Sequence, residues 1–293
     1  TEQAAVQSDQ QLDVVLDPKP PIAEPDAFGV RAGRLVTLPV LLNDHDPNKD
    51  VLSIVPESVT GLDPGFGSLS ITDHGQQLAV RVAPGATGSA TFSYAVTDGT
   101  TADGLTSSPT TVTLTVSPSG TNAAPVWCGV EKCLQPWPTP EVARGGTITV
   151  PVLTGWVDPD GDPLLLLSVD NPSGVGSVAS TPAGEVVYQH SDDGSGGEQT
   201  IQLDVTVADT SGATATKPLV IRVTPDPALA VQSFAVVDTA GSALTVDVGP
   251  HVTGTAGDVT IGSVRVLDDA AATATAVGGT TTFDFTAAQA GVY

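Results

Sequence analysis

The feature that most constrains what this chain can fold into is an internal repeat of about one hundred residues. "VRAGRLVTLPVLLNDHDPNKDVL" begins at Val30, and "VARGGTITVPVLTGWVDPDGDPL" begins at Val142. The two align without a gap at an offset of 112 residues. A fainter copy, "TAGSALTVDVGPHVTGTAGDVTI", begins at Thr239. Self-similarity at that spacing means tandem domains rather than a short-period solenoid.

Each copy carries the same alternation. Val36, Leu38 and Val40 alternate with polar or turn residues, as do Ile148, Val150 and Val152, and again Leu244, Val246 and Val248. A period of two is the mark of a strand with one buried face. Phe92, Tyr94 and Val96 are in phase on a second strand, matched by Leu203, Val205 and Val207. A last strand carries Val112, Leu114 and Val116 in one copy and Leu219, Ile221 and Val223 in the next. Between them, hairpins such as "SLSITDHGQQLAVRV" turn at Asp73, His74 and Gly75. About seven short strands in about one hundred residues suit a two-sheet sandwich.

The expected architecture is therefore all-β, a rod-like array of tandem Greek-key sandwiches. Residues 1–19 form an N-terminal tail or the last strand of a preceding repeat. The first sandwich spans 20–118, the second 123–226 with a cysteine-loop insertion, and 227–293 hold part of a third. In that third copy "FDFTAAQAGVY" corresponds to "VRVAPGATGSA" of the first, so Tyr293 falls where a sixth strand begins and the last two strands are missing. Either a fragment boundary or a strand supplied by another chain accounts for this. The connections "SPSGTNAAP" (117–125) and "TPDPALA" (224–230) are short, which favours a stiff array.

Charge narrows the partners. The chain has 33 acids against 10 Lys plus Arg, a formal net charge of −23. Nucleic acid requires a basic surface, and an anionic membrane attracts one. Neither partner fits. No apolar run reaches the length of a membrane span, so no membrane insertion is expected in this segment. Such a surface is instead a good neighbour for cations.

The segments "NDHDPNKDVL" and "FSYAVTDG" resemble the bacterial cadherin-like and Ig-like repeats of large secreted and surface proteins. The first copy keeps Asn43, Asp44, Asp46, Pro47, Asp50, Leu52, Tyr94, Asp98 and Gly99 of that pattern. The second keeps Asp158, Pro159, Asp160, Gly161, Asp162, Leu164 and Asp209, but has Gly155 and Trp156 in place of the Asn-Asp lead. The third keeps only Asp258. The resemblance covers residues 20–226 well. It implies an extracellular, secreted or surface-attached stalk or adhesin segment whose partners are neighbouring repeats of the same longer chain.

The aspartates have two readings. In this topology the loop holding Asp158, Asp160 and Asp162 meets Asp209 at the end where the linker enters. In the first copy Asp46 and Asp50 meet Asp98. Carboxylates converging at a domain junction suit Ca²⁺, which takes six to eight oxygens, with Asn122 or a linker carbonyl completing the shell. Alternatively, "DPDGD" is a turn and nothing more: Pro fixes φ, Gly supplies positive φ, and Asp side chains bond the backbone ahead. Lys49 weakens the cation reading in the first copy, and the third copy lacks the carboxylates for it.

"PVWCGVEKCLQPWPTP" (125–140) has no counterpart in the other copies. Cys128 and Cys133, the only cysteines, are spaced for a small disulfide loop, which places the chain in an oxidising compartment. Trp127 and Trp137 flank it. They either bind a protein or glycan ligand or pack the domain edge.

No enzyme is expected. His45, His74, His190 and His251 are scattered, and none sits in a nucleophile motif. "GFGS" (65–68) precedes no helix, so it cradles no phosphate. The reading is a non-catalytic segment that spaces and orients domains, with calcium at the junctions. The alternatives are a binding module acting through Trp127 and Trp137, or an accessory spacer of a secreted enzyme.

Overall fold

A computed structural model describes residues 18–99, 104–191 and 197–225, and in the third unit 230–231, 234, 236, 238–253, 259–266, 272–289 and 293. The tail 1–17 and Asp258 lie outside the described residues.

The first unit has strands β1 (Asp26–Val30), β2 (Leu35–Leu38), β3 (Ser53–Ile54), β4 (Gly67–Thr72), β5 (Gln77–Val82), β6 (Ser89–Tyr94), β7 (Val96–Thr97) and β8 (Thr110–Val116). They form sheets ordered β1-β8-β6 and β2-β5-β4, with β3 paired to β7. β1 runs parallel to β8, from Asp26 opposite Val112 to Val30 opposite Val116. The alternating residues point inward: Val36, Leu38, Phe92, Tyr94, Val112 and Leu114 all lie in one buried cluster. Val40 is buried with them, but not on a strand. Pro39 has no N–H to give a ladder, so β2 stops at Leu38 and Val40–Leu42 make one 3₁₀ turn. The β4–β5 hairpin turns at Asp73, His74 and Gly75, each at positive φ.

The second unit has β9 (Val126–Trp127), β10 (Glu141–Ala143), β11 (Thr147–Pro151), β12 (Trp156–Val157), β13 (Leu164–Asp170), β14 (Ser177–Ser180), β15 (Glu185–Gln189), β16 (Gln199–Asp209) and β17 (Thr214–Thr224). Its sheets are ordered β10-β17-β16-β13 and β11-β15-β14, with β9 paired to β12. β10 lies parallel to the last strand, β17, as β1 does to β8, with Val142 opposite Val223. Ile148, Val150, Tyr188, Leu203, Val205, Val207, Leu219, Ile221 and Val223 fill the space between the sheets.

In the third unit, β18 (Ala230–Val231) pairs β20 (Val252–Thr253), and β19 (Ala243–Asp247), β21 (Ala272–Ala276) and β22 (Thr282–Ala287) form a sheet ordered β19-β22-β21. β22 pairs β19 as β5 pairs β2, with Val246 opposite Phe283.

Candidate functional site: the junction of the first two sandwiches

The second unit's aspartate loop follows β12, and Asp209 closes β16 beside it, with Asp209 opposite Leu164 in the ladder. The register thus brings Asp158, Asp160, Asp162 and Asp209 to one end of the sandwich. All four are at least nine-tenths buried. Local turn chemistry uses part of their capacity. Asp158 Oδ1 accepts the N–H groups of Asp160 and Asp162, both at 2.9 Å. Asp209 Oδ1 accepts those of Ser211 and Ala213. Gly161 sits at φ +80, as the turn demands.

The loop also faces the first sandwich. Asp160 Oδ2 accepts the N–H of Ala123 in the linker, and Asp209 Oδ2 accepts Asn122 Nδ2 at 3.0 Å. Arg31, just past β1, donates Nε and Nη2 to Asp162 Oδ2 at 3.1 and 2.7 Å. Arg34 approaches Asp162 Oδ1 at 3.5 Å. Burial pushes the Asp162 carboxyl up, but hydrogen bonds from Arg31 and Ser211 and the two guanidinium charges outweigh it, and its pKa falls below the ordinary value. Among the described residues Asp158 has no salt bridge, and Arg31 acts on it only at longer range. Burial first, then the Asp162 and Asp209 charges, raise it against two backbone hydrogen bonds. Sequence reasoning found the acids and missed Arg31, whose signal is its position: it matches Ala143 in the second copy.

The approach is close enough to require glycine. A Cβ on Gly29 would fall inside the van der Waals envelope of the Pro159 carbonyl, and one on Gly161 would press on the Gly29 carbonyl oxygen and Val30 Cα. Both obstacles are backbone and cannot rotate away. Gly29→Ala is expected to open the junction while leaving the first sandwich folded. Limited proteolysis of the 117–125 linker should quicken at least several-fold, with far-ultraviolet circular dichroism unchanged. Equal cleavage rates would show that the contact is not kept in solution.

The cysteine loop completes the interface. Cys128 and Cys133 are joined by a disulfide, with Cα atoms 5.5 Å apart. The bridge holds a strap that lies on the first sandwich. Val130 is buried in the first unit's core, together with Val157 of β12, and Cys133 packs against the same cluster. Leu134 N–H donates to the Leu42 carbonyl at 2.8 Å, and Asn43 Nδ2 donates to the Glu131 carbonyl at 3.1 Å. Lys132 Nζ lies 2.8 Å from Glu24, an exposed pair worth little by itself. Trp127 and Trp137 meet edge to face at 4.7 Å, and each stands edge-on to buried Trp156 at 5.9 and 6.2 Å. Trp137 Nε1 donates to the Pro218 carbonyl, and Lys217 lies over the Trp137 ring. These two tryptophans are half-buried packing residues of the second sandwich.

In the first sandwich Asp46, Asp50 and Asp98 converge, with one carboxylate oxygen from each inside a 4.8 Å span. Asp46 Oδ1 accepts the N–H groups of Asn48 and Asp50, while its buried Oδ2 has no partner. Burial, then Asp46 and Asp98, raise the Asp50 carboxyl. Lys49 stands in this loop at φ 68.

Two sandwiches that each close with a parallel pair, β1 with β8 and β10 with β17, joined through a buried polar junction, define an array of Ig-type modules. A family model for the bacterial Ig domain matches residues 18–117 and again 122–224. The chain belongs to that family. No curated protein matches it. Similar solved structures include an endo-fucoidan hydrolase from glycoside hydrolase family 107, at 21% identity over 69% of this chain and 28% of that one, with a TM-score of 0.25. Drosophila N-cadherin EC1-3 matches at 13% identity over 71% of this chain and 68% of that one, with a TM-score of 0.33. The human desmocollin-1 ectodomain matches at 14% identity over 77% and 47%, with a TM-score of 0.27. Scores this low carry no inference about function. No helix among the described residues is long and apolar enough to cross a membrane.

Proposed function

We propose that this chain is a non-catalytic spacer segment of a secreted or cell-surface bacterial protein, holding neighbouring domains at a fixed angle. The observation that carries the reading is the strap: a disulfide-closed loop of the second sandwich contributes Val130 to the core of the first. A freely swinging linker would bury no side chain across the joint. The disulfide supports an oxidising, extracellular setting. The trio Asp46, Asp50 and Asp98 supports a calcium site facing whatever precedes the first sandwich, since three carboxylate oxygens within 4.8 Å can share one ion at about 2.3–2.6 Å each. The ligand-binding alternative has less support, because Trp127 and Trp137 turn their rings onto one another and onto Trp156.

Small-angle scattering of the full chain tests the spacer. A single narrow separation between the first two sandwiches is expected, broadening when Cys128 and Cys133 are both replaced by serine. A broad distribution in the unmodified protein would refute the fixed joint. Calcium at about 10 mM, well above the 10⁻⁴–10⁻³ M range of extracellular modules, is expected to raise the melting temperature of the first sandwich by several degrees. Asp46→Asn should abolish the rise, and no rise in the wild type would remove calcium from the proposal.

A further inference from the structure

The second sandwich's acidic cradle holds a cation already. Arg31 Nη1 and Nη2 face an all-oxygen set: Asp162 Oδ2 at 2.7 Å, Asn122 Oδ1 at 3.2 Å, the Pro118 carbonyl at 3.3 Å and Asp160 Oδ2 at 3.5 Å. Carboxylates, a side-chain amide oxygen and a backbone carbonyl are the ligands a hard divalent ion takes. The Arg31 side chain is 13% exposed, and the Asp162 side chain is fully buried. Of the remaining oxygens, Asp158 Oδ2 is buried without a hydrogen-bond partner, and Asp162 Oδ1, which accepts no hydrogen bond either, faces the Arg34 guanidinium at 3.5 Å. Buried carboxylates left without counter-charge are costly, and the Arg31 guanidinium supplies that charge at the mouth of the cradle.

We infer that Arg31 is the resident cation of this cradle, so that the junction carries its own counter-charge and needs no metal, and that removing the guanidinium uncovers a divalent-cation site made of Asp158, Asp160, Asp162, Asp209 and Asn122. The pairing is specific to this junction. At the corresponding end of the second sandwich the residues matching Arg31 and Arg34 are Ala143 and Gly146, and the unit that follows lacks the "DPDGD" sequence. Arg31 and Arg34 thus stand where the acids face them, whereas the second copy's own Arg144 matches Ala32. Asp158 and Asp209 are also served by turn bonds, Asp160 by the linker N–H of Ala123 and Asp162 by the Ser211 hydroxyl. It is the orphaned oxygens and the cross-domain guanidinium together that mark a cation position. The inference does not rest on the spacer reading or on calcium at Asp46, which contributes equally to every variant below.

The test is calcium titration of the full chain by calorimetry and melting temperature, comparing wild type, Asp160→Asn, Arg31→Gln, Arg31→Lys, and Arg31→Gln combined with Asp160→Asn. Arg31→Gln is expected to gain one calcium equivalent over wild type, with a Kd of about 10⁻⁴–10⁻³ M, and a calcium-dependent rise of several degrees in the second sandwich. Arg31→Lys, which keeps the charge, should gain none, and Asp160→Asn should cancel the gain. No added equivalent in Arg31→Gln would overturn the inference. So would a wild-type calcium equivalent that is lost on Asp160→Asn alone, a measurement that stands even if Arg31→Gln fails to fold.

Discussion

Replacing Trp156 with alanine is expected to destabilise the second sandwich by about 3–5 kcal/mol, the cost of emptying a large aromatic site in a core. Trp156 is buried, donates its indole N–H to the Val152 carbonyl at 3.0 Å, and is the ring on which both Trp127 and Trp137 rest. Its loss removes packing area, two edge-to-face contacts and a satisfied hydrogen bond together. β12 carries Trp156 beside Val157, which reaches the first sandwich's core, so the junction should loosen as well. Because the chain's three tryptophans are these three residues, emission from the remaining two reports the cluster directly. Urea unfolding followed by that emission should show the lowered midpoint. A loss under about 1 kcal/mol would mean the triad is not packed as described.

The stability of the first sandwich should fall as pH rises from about 4 to about 8. Tyr94, fully buried, has one hydroxyl proton and three acceptors within reach: Asp44 Oδ2 at 2.8 Å, the Val40 carbonyl at 3.0 Å and Asp26 Oδ2 at 3.2 Å. One donor cannot satisfy three acceptors, and Asp26 Oδ1 and Asn43 Oδ1 are buried without partners. An additional proton on Asp26 relieves the shortage. Burial first, then the Asp44 charge, push Asp26 up to about 8, against the hydrogen bond from Tyr94 and the nearby Asn43 amide, and burial pushes Asp44 to about 6. A carboxyl whose folded pKa lies above its unfolded value makes the folded state the better proton binder. Its contribution is full below the unfolded value near 4 and is lost as pH climbs to the folded value. Asp26→Asn, neutral at every pH, should flatten most of this slope and stabilise the sandwich at pH 8.5 by a few kcal/mol, on the order of 1.4 per pKa unit. Denaturation at pH 5 and 8.5 decides the matter. Equal wild-type stability at the two values would show that Asp26 is ionised and otherwise satisfied.

The two sandwiches were legible in the order of the residues because a strand's alternation is local. Val36, Leu38, Phe92, Tyr94, Leu203 and Val205 each declare a buried face within a few neighbours, and the repeat offset declares that the pattern is used twice. Asp73, His74 and Gly75 declare their turn the same way. The grouping of Asp158, Asp160, Asp162 and Asp209 was also within reach, since topology alone puts those loops at one end. What filled the space among them was not. Arg31 lies more than a hundred residues from Asp162, and nothing in "GVRAG" says which carboxylate it meets. Likewise "PVWCGVEKCLQPWPTP" announces a disulfide but not the surface it straps, and Asp26 looks like an ordinary exposed acid until β1 brings it to Tyr94. Burial, counter-charge and the close backbone approach at Gly29 depend on how one sandwich sits against the next. That arrangement follows from contacts between residues far apart in the chain, so only the tertiary structure decided it.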